Sequence, residues 1–95
     1  MDIEHCRREI DEIDAELLRL LNMRARLALK VGVLKQAKQL PFCDPDRERN
    51  VLQRLQEINC GPLDGRAVGR VFRRIIHESR RVEVAQLSVE VAQLR

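Results

Sequence analysis

Several charged or polar residues stand where helical periodicity asks for apolar ones. Arg24 falls between Leu20 and Leu27 in a register of three- and four-residue steps that also takes in Ile3, Cys6, Ile10, Ile13, Leu17, Val31 and Leu34. Lys35 comes eleven residues after Arg24, about three turns on and within ~20° of the same face. In Asp44-Pro45-Asp46-Arg47-Glu48 the first two residues suit a helix cap and a first helical position. Arg47 then brings a cation to the positive end of the helix dipole, an unfavourable place unless an anion meets it. Glu48 shares a face with Leu52 and Leu55, while Ser79 and Glu83, four apart, continue the stripe of Phe72, Ile75 and Ile76. Arg7 borders the same seam as Arg24 but lies about 42 Å from Lys35 along a helix. Within one chain Arg7 and Lys35 cannot share a ligand; in an antiparallel dimer Arg7 could reach the partner's site.

Taken singly, each residue has an ordinary explanation. Arg24 could set a register or snorkel outward, Arg47 and Glu48 could form an exposed pair worth ~0–1 kcal/mol, and Ser79 is small enough for any packed helix. Jointly they leave several charges on apolar faces without partners, which points to a buried polar site. Arg7, Arg24, Lys35 and Arg47 against one acid, Glu48, would bind a small dianion. Ser79 has no histidine beside it, and no metal cluster or glycine-rich phosphate loop is present in the sequence. His5 and His77 lack partners at ligand spacing, and the pairs Arg73-Arg74 and Arg80-Arg81 are expected on solvated faces. A reaction needing only orientation and electrostatics suits such a pocket.

The elements that must position these residues are all helical. The register from Ile3 to Leu34, unbroken by proline before Pro41, predicts one helix over about 2–38, more than ~50 Å long. A second helix is expected from Pro45 to about Asn59, with Val51, Leu52, Leu55 and Ile58 inward. A third, capped by Asp64, presents Val68, Phe72, Ile75, Val82 and Leu87. Two shorter helices cannot cover so long a rod, so the expectation is an all-α fold, one domain over 1–95, in an intertwined homodimer.

Composition excludes other classes. Lys+Arg (18) barely exceed Asp+Glu (15), the two signs are interspersed, and Phe42 and Phe72 are the aromatic residues available, so a nucleic-acid reader is not expected. Cys6, Cys43 and Cys60 are odd in number and lack ligand spacing, which reads as reduced thiols in a cytoplasmic protein. No apolar run approaches the ~20 residues of a membrane span, and no signal peptide is expected.

The segments CRREIDEIDAELLRLLNMRARLALKVGVLK (6–35), DPDRERNVLQRL (44–55) and VFRRIIHESRR (71–81) resemble, in order and spacing, the all-helical chorismate mutases. The resemblance implies an intertwined dimer that converts chorismate to prephenate by an intramolecular Claisen shift without a cofactor. It implies that the partner's Arg7, together with Arg24 and Arg47, binds the substrate carboxylates, and that Lys35 bridges a carboxylate and the ether oxygen. It further implies that Glu48, assisted by the Asp44 region, holds the ring hydroxyl, and that Ser79 lies against a carboxylate. Arg47 then faces an anionic substrate.

Alternatives at this level are an isochorismate pyruvate lyase, which Glu48 disfavours, and a regulatory or partner-activated chorismate-binding domain. Fusion to, or docking on, another aromatic-pathway enzyme stays open. One departure stands out. Where most relatives carry Gln at the second ether-oxygen donor position, this chain has Glu83, which must be protonated to donate a hydrogen bond.

Overall fold

Three aspartates open three helices. Asp2 Oδ1 accepts from the backbone N–H of His5 (2.8 Å) and starts α1, Ile3–Ala37. Asp44 Oδ1 accepts from Arg47 N–H (3.1 Å) and starts α2, Pro45–Ile58, with Pro45 in the first turn, where no donor is needed. Asp64 Oδ1 accepts from Ala67 N–H (2.8 Å) and starts α3, Gly65–Gln93. The computed structural model describes the backbone of residues 2–93 and the side chains of residues 2–85. No strand occurs among the described residues. No helix among them is long and apolar enough to cross a membrane.

The helix ends follow local chemistry. After Ala37 the chain turns through Gln39 at φ 57°, and Leu40 N–H returns to the Lys35 carbonyl at 2.8 Å. This turn brings Phe42 back over the end of α1. Beyond α2, Asn59 ties the next loop to itself: its Oδ1 accepts from Gly61 N–H and its Nδ2 donates to the Leu63 carbonyl. Gly61, at φ 80°, takes the left-handed conformation that a side chain would strain.

Both α1 and α2 pack on α3 and not on each other. Val51, Leu52 and Val68 are buried at the α2–α3 contact, flanked by half-buried Leu55, Phe72, Ile75 and Ile76. The molecule is a rod of 59 × 28 × 15 Å. Its radius of gyration is 16.9 Å, against about 13 Å for a compact domain of such a length. The α1 seam is correspondingly open: Ile13 is 59% exposed, Leu17 50% and Leu27 59%. Ile58 and Val82, expected to face inward, are also exposed within one chain, and Leu87 lies outside the described side chains.

The cap of α3 lies at the start of that helix, well before Ser79 and Glu83. Asp64→Ala is expected to lower stability by about 0.5–2 kcal/mol. Urea denaturation should show this as a reduced midpoint with an unchanged slope.

Candidate active site

The three helices meet around a cavity of about 290 Å³. Its size suits a ligand somewhat smaller than the drug-sized molecules that fill pockets of ~300–1,000 Å³. Helix α1 contributes Arg24 and Lys35, α2 contributes Arg47 and Glu48, and α3 contributes Ser79 and Glu83; Asp44 lies on the wall. Five side chains that broke the apolar pattern of three separate helices, and Arg47, the cation at a helix N-terminus, therefore line one space.

Arg24 Nη1 donates to Ser79 Oγ at 3.0 Å, which aims the guanidinium across the α1–α3 contact. Burial, and then the charge of Arg47 opposite, push Arg24 below the usual arginine value. It remains a cation, held at a cost. Lys35 Nζ donates to the Phe42 carbonyl at 3.3 Å, so the loop after α1 orients it. Arg47 is exposed at the rim. Among the described residues, none of these three cations has a carboxylate within 4 Å.

Glu48 is occupied differently. Its Oε1 lies 3.2 Å from His77 Nε2 and its Oε2 lies 3.7 Å from an Arg80 guanidinium nitrogen. Both partners come from α3, so the carboxylate is held from one side. Glu83 is 5% exposed, and its Oε1 is buried without a hydrogen-bond partner among the described residues. Asp44 uses Oδ1 on the α2 cap, which ties the cap of that helix to the wall of the cavity.

Arg7 is not brought to this cavity by its own chain. It sits at the far end of α1, largely exposed, paired with Glu4 at 3.0 Å. One side chain expected on a solvated face belongs here instead: Arg80 lines the cavity and is half-buried. His77 is exposed, as expected of a surface residue, and reaches Glu48 from outside the cavity lining. Adjacent residues on a helix diverge by about 100°, so Arg80 can turn toward the cavity while Arg81 stays exposed. The usable signal was Arg80's spacing of four from Ile76 and three from Glu83.

The model of the type II chorismate mutase family matches residues 6–84. The chain belongs to that family. It is similar to the form II structure of chorismate mutase from Thermus thermophilus, with 36% identity, a TM-score of 0.87, and coverage of 88% of this chain and 96% of that one. It is also similar to the Helicobacter pylori chorismate mutase solved in complex with prephenate, with 32% identity, a TM-score of 0.85, and coverage of 90% and 93%. A bifunctional chorismate mutase/prephenate dehydratase from Neisseria gonorrhoeae is 47% identical over 77 residues, which cover 81% of this chain and 21% of that protein. The chain thus spans about a fifth of the length of such bifunctional relatives.

The charge of Arg47 acting on Arg24 has a measurable consequence. Arg47→Gln removes a cation from a helix N-terminus and from opposite Arg24, and is expected to stabilise the unliganded protein by about 0.3–1 kcal/mol at low ionic strength. Screening should shrink the gain in about 1 M salt. Urea midpoints of both proteins at the two salt concentrations test this.

Proposed function

We propose that this chain catalyses the rearrangement of chorismate to prephenate, at two equivalent sites shared between the chains of a homodimer. The observation that carries this reading is the set of unpaired cations, Arg24, Lys35 and Arg47, around a small cavity with Glu48 opposite. Both substrate and product carry two carboxylates. The family membership and the prephenate bound in the Helicobacter pylori relative support the same reading.

In this reading Arg24 takes one carboxylate, and Arg47 with the partner's Arg7 adds to the cationic wall. Lys35 bridges a carboxylate and the ether oxygen. Glu48, aimed by His77 and Arg80, accepts a hydrogen bond from the ring hydroxyl, and Ser79 supports Arg24 beside the substrate. Clamping two carboxylates at a fixed separation selects the folded conformer, in which the enolpyruvyl arm lies over the ring. As the C–O bond breaks, negative charge grows on the ether oxygen. Donors already in place there stabilise the transition state more than the substrate. The rearrangement is unimolecular, with one bond broken and one formed inside the substrate, so the protein supplies shape and charge.

The exposed thiols of Cys6, Cys43 and Cys60 suit a reducing cytoplasm. A prephenate-consuming enzyme, joined or docked, is the partner class proposed.

Incubation with chorismate, followed by ultraviolet loss of substrate and identification of prephenate, tests the activity. Isochorismate as the second substrate separates a lyase from a mutase. Lys35→Ala is expected to reduce kcat by about 10²–10³-fold. The Glu83 position makes a further demand. A carboxylate cannot donate a hydrogen bond to the ether oxygen, whereas the protonated acid can. Glu83→Gln, whose amide is a donor, is therefore expected to keep or raise kcat/KM, and Glu83→Ala to lower kcat by about 10²–10³-fold. Equal kcat/KM in the parent protein and Glu83→Ala would remove Glu83 from the ether oxygen.

A further inference from the structure

Gly32 lies within α1, where glycine costs about 1 kcal/mol relative to alanine and no special backbone conformation requires it. It is also the buried residue of a helix whose other faces are largely open. Its surroundings explain both facts. A Cβ placed on Gly32 would stand 2.4 Å from Glu83 Cγ and 2.7 Å from both Cδ and Oε1. None of these is a tolerable separation, and the whole carboxyl arm of Glu83 would have to move. The helical glycines of α3 differ. At Gly65 and Gly69 an added Cβ would come no closer than 4.0 and 3.4 Å to a neighbour, the side-chain nitrogen of Gln56. The missing atom at position 32 thus makes a notch in α1 shaped by one side chain of α3.

Oε1 of Glu83 lies buried in the notch without a hydrogen-bond partner among the described residues, while Glu83 itself lines the cavity with Arg24, Lys35, Ser79 and Arg80. With Oε1 seated against α1, the other carboxyl oxygen is the one left for the cavity. The depth of the notch therefore sets how far the acid protrudes toward a bound molecule. We infer that Gly32 is a positioning residue, whose missing side chain seats the Glu83 carboxyl at the depth and angle the reaction uses. The inference rests on the placement of Glu83 at the ether oxygen proposed above. Displacements of about 1 Å at such a group cost on the order of 10²-fold in rate.

A double-mutant cycle of Gly32→Ala and Glu83→Ala, followed by kcat, KM and melting temperature, tests it. Gly32→Ala alone is expected to lower kcat by about 10–100-fold with a smaller change in KM, because the acid is pushed into the cavity. In the Glu83→Ala background the notch is empty, and the added methyl group should change kcat by less than about threefold. Should the single variant fail to fold, the double variant is expected to fold and to match Glu83→Ala in kcat. Equal losses in both backgrounds would overturn the inference, because Gly32 would then act independently of Glu83. Coupling seen in melting temperature but not in kcat would also overturn it, leaving a packing role alone. Wild-type kcat in Glu83→Ala would instead remove the underlying placement of Glu83, and with it any role for Gly32 acting through that residue.

Discussion

A helix of 35 residues with an apolar seam along its length cannot be covered by two shorter helices of the same chain. Helix α1 leaves Ile10, Ile13, Leu17, Leu20, Leu27 and Val31 between 46% and 59% exposed. Fully burying such side chains contributes roughly 1.5–3 kcal/mol each, so this open stripe calls for a cover. A second copy is the proposed cover. An isologous pairing sets the same seam against itself, so whatever sits on the seam faces the partner as well.

The site inherits its character from that arrangement. Arg24 and Lys35 occupy seam positions, and α3 packs on them with Ser79, Arg80 and Glu83. Half-burial costs Arg24 part of its hydration, and Arg47 opposite adds repulsion. The hydrogen bond to Ser79 relieves only part of this. A two-carboxylate ligand would supply the missing negative charge in a place where water competes weakly, and the same groups would then act on charge that develops during the reaction.

How much of this was legible in the sequence follows from the geometry of single helices. Arg24, Lys35, Glu48, Ser79 and Glu83 could be singled out because each interrupts a stripe on its own helix, and periodicity within one helix reports such breaks directly. The starts of α2 and α3 were equally plain, since Asp44 and Asp64 stand as caps before runs that carry that periodicity. Relations between helices left no such mark. Arg80 looked like half of a basic pair, and only the packing of α2 on α3 brings it to Glu48. Gly32 broke no apolar pattern, because a missing side chain reads the same in sequence whether it marks a close contact or a weak helix former. The exposure of Ile58 and Val82 shows the opposite limit: an apolar residue marks a face to be buried without saying which chain will bury it.

The central claim is that each site needs groups from two chains, which joins the open seam of α1 to the distance between Arg7 and Lys35. Mixed dimers of Arg7→Ala and Arg24→Ala protomers test it most directly. Each homodimer carries damage at both sites, whereas a mixed dimer concentrates both substitutions in one site and leaves the other intact. Chorismate turnover measured after the two inactive proteins are mixed and refolded should recover toward half the wild-type rate per heterodimer. No recovery, with heterodimers verified by native mass spectrometry, would contradict the shared site.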